Sequence, residues 1–272
     1  MNTWWNMKNL HVATVQTNLY WEDPQANRNN IQRMLEQVES AVDIIVLPEM
    51  FTTGFSMRPE THAELMAENM PTLVWMREMA DGKNSCVTGT ISVKDGDQFY
   101  NRIFWVYPDG SYEYAEKRHL FTLGSEHEHY SAGKSRLIAE YKGWKINPMC
   151  CYDLRFPVWC RNTMNEDYPD FDVQIFMANW PEVRVKHWNI LLAARAVENQ
   201  AYVVGTNIVG ADGNGVPHSG HSQVIGPAGN QICLHEDDYA GIKLTTLDTA
   251  TLARVRKSLA FLKDQDAFEI EV

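Results

Sequence analysis

Asp43-Ile-Ile-Val-Leu47 is a short run with no polar interruption, and Pro48-Glu49 ends it. Such a run suits a strand buried on both faces, the kind found in a parallel sheet covered by other layers. A carboxylate at the carboxyl end of such a strand stands where α/β proteins place functional groups. The flanking sequence agrees. Residues 10–17 are β-rich, and Asp23-Pro24 reads as an N-cap followed by proline at the first helical position. The helix it opens is expected to reach about Ser40, with Ile31, Met34, Leu35 and Val38 on one face. A second helix is expected over 65–80, then strands over 85–93, 99–107 and 112–117, separated by turns at 94–97 and 108–110. A loop follows over 119–133. Farther on, strands are expected at 137–141, 145–150, 172–178, 201–209, 221–225, 231–235 and 240–247. Helices are expected at 157–165 and 186–200, and after a cap at Asp248 or Thr249. Strands and helices alternate without a linker or repeat, so the sequence predicts one α/β domain over 1–272.

The bulk properties narrow the function. The formal net charge of −11 argues against nucleic-acid or anionic-membrane surfaces, which need basic patches. No apolar run approaches the ~20 residues that span a bilayer, and residues 1–6 are too short and polar for a signal peptide. Met7 offers an alternative start, because the periodic sequence begins just after it. Cys86, Cys150, Cys151, Cys160 and Cys233 are odd in number, scattered, and form no C-x-x-C pair. A reducing, cytoplasmic location is expected.

Lys145-Ile-Asn-Pro-Met-Cys-Cys-Tyr-Asp-Leu-Arg-Phe-Pro157 carries the chemistry. A strand ends in two cysteines and an abrupt polar turn. A thiol there, facing free backbone N–H groups and a nearby cation, is placed to act as a nucleophile with a favoured thiolate. Neighbours on a strand point to opposite faces, so at most one of the two is expected in a site. Taken alone, a cytosolic cysteine is more often a small core residue.

Three separated segments change that reading: Leu47-Pro-Glu-Met-Phe-Thr-Thr-Gly-Phe55, Glu116-Lys-Arg-His-Leu-Phe121 and Cys151-Tyr-Asp-Leu-Arg-Phe-Pro157. They resemble the signature segments of the nitrilase, or carbon–nitrogen hydrolase, superfamily. Ala178-Asn-Trp-Pro181, His187-Trp188, Ala193 to Gln200, Gly220-His-Ser222 and Pro227-Ala-Gly229 extend the resemblance over nearly the whole chain. It implies a four-layer αββα sandwich, pairing into a homodimer across a helical face, and a Glu49–Lys117–Cys151 triad. Cys151 would be the nucleophile. Glu49 would take the thiol proton, pass it to departing ammonia, then activate water. Lys117, with a backbone N–H near Cys151 or Tyr152, would hold the oxyanion. Without the joint motif, Glu49 and Lys117 would read as a structural ion pair. Cys150 departs from the family pattern, where an aliphatic residue is commoner.

Other candidates follow from the same comparison. Glu126 stands seven residues before Gly133, where relatives often carry a second glutamate; the resemblance implies that it orients the lysine or positions substrate. Tyr152, Arg155, Trp180 and Phe121 are candidate substrate-binding or supporting residues. Arg155 would pair with a substrate carboxylate; fixing the turn together with Asp153 is its structural alternative. Trp180 and Phe121 have plain core packing as theirs. The Glu126-His-Glu-His129 run reads as a solvated or substrate-lid loop rather than a metal site. No metal or cofactor is expected. His187 and His221 read as structural, since no G-x-S-x-G elbow is present.

Pro-Glu-Met-Phe-Thr-Thr-Gly-Phe and Cys-Tyr-Asp-Leu-Arg-Phe-Pro-Val-Trp resemble the bacterial ω-amidase branch. That resemblance implies a small-molecule substrate, 2-oxoglutaramate or 2-oxosuccinamate, cleaved to the dicarboxylate and ammonia. Another amidase of the superfamily, such as an N-carbamoyl amide hydrolase, is the alternative. A binding protein without turnover has no need of the Glu, Lys and Cys set. A metal-dependent amidohydrolase would lose activity to chelators and resist thiol alkylation.

Overall fold

The computed structural model describes residues 7–165 and 168–271. The strands of its two large sheets are β1 (Leu10–Gln16), β2 (Ile44–Val46), β3 (Cys86–Asp95), β4 (Gln98–Val106), β5 (Tyr112–Glu116), β6 (Ala139–Tyr141), β7 (Trp144–Cys150), β8 (Val173–Met177), β9 (Tyr202–Thr206), β10 (Gln223–Ile225), β11 (Gln231–Leu234) and β12 (Gly241–Leu247). The first sheet runs β12-β1-β2-β3-β4-β5, with the short strand Glu64–Leu65 also paired to β3; the second runs β11-β10-β9-β8-β7-β6. Each has three parallel central strands, β1–β2–β3 and β7–β8–β9, flanked by antiparallel neighbours. The carboxyl ends of β2, β7 and β8 therefore serve as equivalent positions for functional groups.

Alternation along β2 shows how four layers arise. Ile44 and Val46 enter the core between the sheets, where they meet Ile146, Val173 and Ile175. Ile45 faces the other way, into a core shared with Ile31 and Leu35 of α1 (Pro24–Glu36) and Leu73 and Met76 of α2 (Pro71–Lys83). On the far side, Trp188, Leu192 and Ala196 of α3 (Val185–Asn199) pack against Met149, Phe176 and Val203. The result is an αββα sandwich, as expected. The last helix, α4 (Thr249–Ser258), is capped by the Asp248 side chain and sends Leu252 into the inter-sheet core.

Several expected boundaries move for identifiable reasons. The helix expected over 65–80 begins at Pro71, which needs no N–H in the first turn, and ends where Asn84 turns left-handed. Glu64 and Leu65 are instead an edge strand, with Leu65 exposed. α1 stops at Glu36, short of 40. The helix expected at 157–165 is one turn, Pro157–Cys160; Met164–Asn165 then pairs with Tyr168–Pro169, and residues 166–167 lie outside the described residues. The strand expected over 201–209 ends at Thr206. Val209–Ala211 forms a separate hairpin with Pro217–Ser219, which the sequence did not reveal.

Candidate active site

Glu49 lies just past the end of β2, after Leu47 and Pro48, and Met50 turns the chain with a φ of 40°. Lys117 follows β5, where its N–H still bonds the Asn101 carbonyl. Glu126 opens the short helix Glu126–His129 and turns inward, while His127 and Glu128 face solvent. The three side chains meet in the interior. Lys117 Nζ donates to Glu49 Oε1 at 2.8 Å and to Glu126 Oε1 and Oε2 at 3.0 and 2.8 Å. The amide of Asn101 bridges the two carboxylates, at 2.9 Å to Glu49 and 3.1 Å to Glu126. The Phe121 N–H donates to Glu126 Oε2 at 2.6 Å. Gly133 lies against the Glu116 backbone: a Cβ there would sit 2.3 Å from the Glu116 carbonyl oxygen. That close approach explains a glycine seven residues after Glu126.

Burial and charge act together on these groups. Burial alone would lower the Lys117 pKa, but Glu126 and Glu49 outweigh burial and hold it well above its usual range. Burial raises Glu49, yet the Lys117 charge and the donors around it bring it below a free carboxylate. In Glu126, burial outweighs Lys117, and the charge of Glu49 adds to it, so this carboxyl is raised.

Cys151 opens a 3₁₀ turn, Cys151–Arg155, at the end of β7, and its φ is 36°. A non-glycine residue held in this region carries about 1–3 kcal/mol of strain and marks a place where structure serves a task. Asp153 anchors the turn by accepting the Cys150 N–H at 3.3 Å and, through its other oxygen, the His119 N–H at 2.9 Å. Strand alternation fails here. Cys151 lines the cavity, yet the buried Cys150 thiol also reaches the site, donating to Glu49 Oε1 at 3.2 Å and accepting the Asp153 N–H. The positive φ takes Cys151 off the strand, so both thiols lie near one carboxylate. The expectation of a favoured thiolate is also corrected: burial and the charge of Glu49 push the Cys151 thiol well up, and Lys117 offsets only part of this.

The cavity in front of these groups has a volume of about 330 Å³. Glu49, Lys117, Cys151, Tyr152, Arg155, Phe121 and Trp180 all line it; Glu126 lies behind Lys117. Arg155 makes no ion pair with Asp153. It lies 4.5 Å over the Trp180 ring and within 3.3 Å of His187 Nδ1, so the turn-fixing role falls to Asp153 alone. Tyr152 meets the Phe121 ring edge-on at 5.1 Å. Trp180 also packs on Trp188 of the core, so both of its expected settings hold. His221 is tied to Asn189 and Asp237, away from the cavity lining.

The carbon–nitrogen hydrolase family model matches residues 11–257. The chain belongs to that family. It is 41% identical over 264 residues to an ω-amidase of Escherichia coli K12, covering 97% of this chain and all of that one. A 2-oxoglutaramate amidase of Bacillus subtilis is 30% identical, covering 93% of this chain and 96% of its own. A carbon–nitrogen hydrolase superfamily protein of Xanthomonas campestris, whose crystal structure has an arsenic adduct in the active site, superposes with a TM-score of 0.94. It is 40% identical, over 97% of this chain and all of that one. The carbon–nitrogen hydrolase reads out as a hydrolase of non-peptide C–N bonds.

Four residues at or behind the cavity escaped the sequence reading. Arg184 comes from the short turn after β8 and lies 5.4 Å over the Phe121 ring. Asn179 ties its backbone N–H to Glu49 Oε2 at 2.9 Å. Asn101 supports both carboxylates from β4. His218, held neutral by burial, comes from the unforeseen hairpin. Asn179 lay within the quoted Ala-Asn-Trp-Pro run, but nothing in the spacing gave it a task.

Proposed function

We propose that this hydrolase is an ω-amidase, which cleaves the terminal amide of 2-oxoglutaramate or 2-oxosuccinamate through a thioester on Cys151. The observation that carries this reading is the pair Arg155 and Arg184. Both line the cavity, and neither is ion-paired to a carboxylate among the described residues. They are close enough that, after burial, the charge of Arg184 is the next cause lowering the Arg155 pKa. Two guanidiniums without a counter-ion suit a substrate carboxylate. A short α-keto acid amide carries that carboxylate at one end and the scissile amide at the other. The names of the Escherichia coli and Bacillus subtilis relatives support the same substrate class. An N-carbamoyl amino acid also carries a carboxylate, so the substrate test must separate the two.

The proposed reaction follows from the hydrogen-bond inventory. Glu49 Oε1 accepts from Lys117, Asn101 and Cys150, whereas among the described residues Oε2 accepts only the Asn179 N–H. Oε2 retains the lone pair that takes the Cys151 proton as sulfur attacks the amide carbon. Lys117 steadies the oxyanion, together with N–H groups at the start of the Cys151–Arg155 turn, which lack partners within the turn. Glu49 then protonates the nitrogen, the C–N bond breaks, and ammonia leaves. Water attacks the thioester, giving its proton to Glu49; as the C–S bond breaks Glu49 returns that proton to the Cys151 sulfur, and the acid product leaves as its carboxylate. Glu126 orients Lys117; Tyr152, Phe121 and Trp180 shape the walls.

The test is ammonia release from 2-oxoglutaramate, 2-oxosuccinamate and N-carbamoyl amino acids by wild type and Cys151→Ala. Turnover of the keto acid amides by wild type alone is expected. Preference for the carbamoyl compounds would discard the substrate, and turnover by Cys151→Ala would discard the nucleophile.

A homodimer across the outer face of α3 is part of the proposal. Ile190 and Val197 are exposed there, with Ala193 and Ala194 between them on the same face. That is an apolar stripe where a solvent-facing helix carries polar residues. The five free cysteines fit a cytoplasmic setting. Among the described residues no helix is long and apolar enough to cross a membrane. A single functional unit over 1–272 completes the reading.

A further inference from the structure

Asn179 leaves one polar atom without a partner. Its Nδ2 donates to the Glu49 carbonyl at 2.5 Å, and its N–H donates to Glu49 Oε2 at 2.9 Å. Oδ1 is buried with no partner among the described residues, in a residue only 6% exposed that lines the cavity. The amide cannot be turned around: that would set Oδ1 against the Glu49 carbonyl oxygen and lose the donor. An acceptor buried without a donor costs about 1–3 kcal/mol, so it calls for a ligand that supplies an N–H or O–H.

We infer that Asn179 Oδ1 accepts an N–H of the substrate's scissile carboxamide and so selects amides by their leaving group. The same residue bonds Glu49 Oε2, the oxygen with a free lone pair. A nitrogen held on Oδ1 would thus lie beside the group that protonates it. The arginine pair senses the acyl chain; Asn179 senses what leaves it. An ester of the same acyl chain offers no N–H and gains nothing from Oδ1. This rests on the amidase reading above but not on the choice of acyl chain.

The experiment compares kcat/KM for a primary amide and the methyl ester of one acid, using whichever acyl chain wild type turns over. Acylation of Cys151 by each is also followed by intact mass in a single turnover, so that slow deacylation does not mask the step. Asn179→Ala is expected to lower the amide-to-ester ratio about tenfold or more. Asn179→Asp keeps an oxygen in place; its ratio should stay within about threefold of wild type even as both rates fall. Equal losses on amide and ester in Asn179→Ala would show that the side chain merely props Glu49, and would overturn the inference. So would an unchanged ratio, or an equal collapse of the ratio in Asn179→Asp. Failure of 2-oxoglutaramate as substrate would instead refute the acyl-chain assignment and leave this ratio measurable.

Discussion

Glu126→Gln is the most demanding substitution for this site, because it preserves shape and changes only charge and one donor. In the wild type, Oε1 accepts from Lys117 and Asn101, and Oε2 accepts from Lys117 and the Phe121 N–H. Glutamine must place an NH₂ at one of these positions. Either orientation points donor hydrogens at two existing donors, at a residue with no exposed surface. The loss of a charge-assisted bond and the stranding of a buried donor together cost about 2–4 kcal/mol. Lys117 takes most of that strain, since it is bonded to both oxygens. Three kcal/mol placed on the transition state is about a hundredfold in rate. Glu126 does not line the cavity, so kcat should fall about 10²-fold while KM changes little. Ammonia release under saturating substrate gives kcat, and urea unfolding of the same preparation reports any share of the cost borne by stability. Wild-type kcat together with wild-type stability would refute this account of Glu126, and a change confined to KM would make it a substrate contact instead.

The remaining predictions concern the second thiol and the outer helix. The Cys150 thiol donates to Glu49 Oε1 and so favours the carboxylate; Cys150→Ala should raise the Glu49 pKa and move the acid limb of kcat/KM to higher pH, with modest loss near neutrality. Cys150→Ser should restore the limb, and an acid limb identical in all three proteins would show that the bond has no effect. Gel filtration at several concentrations should give wild type at twice the mass of the chain and Ile190→Asp at the monomer position. A wild-type monomer throughout, or a variant that still pairs, would remove α3 as the interface.

The layers were legible because alternation and continuous apolar runs report burial directly. Ile44, Ile45 and Val46 divide between two cores as a strand buried on both faces must. Glu49, Lys117 and Cys151 were singled out only because three motifs occurred together, and Glu126 only by its spacing from Gly133; none has a periodicity of its own. The turn at Cys151 was not legible. Whether two adjacent thiols share a site depends on one φ angle, and nothing in the residue types announces 36°. The Arg184 and His218 contributions were hidden for another reason. They arrive on a short turn and a short hairpin, Val209–Ala211 with Pro217–Ser219, whose place over the cavity is a tertiary fact. Leu65 misled the helix boundary because an exposed leucine and a buried one look alike in a pattern.

The contact between base and cation, 2.8 Å from Lys117 Nζ to Glu49 Oε1, makes sense of the raised thiol. With Glu49, Lys117 and Glu126 all ionised, the buried cluster carries one net negative charge. In the proposed reaction the thiol proton moves to Glu49 as the amide oxygen becomes an oxyanion. One negative charge disappears from the carboxylate and one appears on the substrate, so the net charge of the buried site is unchanged. A preformed thiolate would add a second negative charge to this low-dielectric region before any substrate arrived, at a cost set by poor solvation. Holding the thiol protonated avoids that state. Lys117 exchanges one oxygen anion for another without moving far, while Glu126 keeps it in place. This is why the cation must touch the base as well as face the cavity, and why Glu126, behind it, belongs to the same unit.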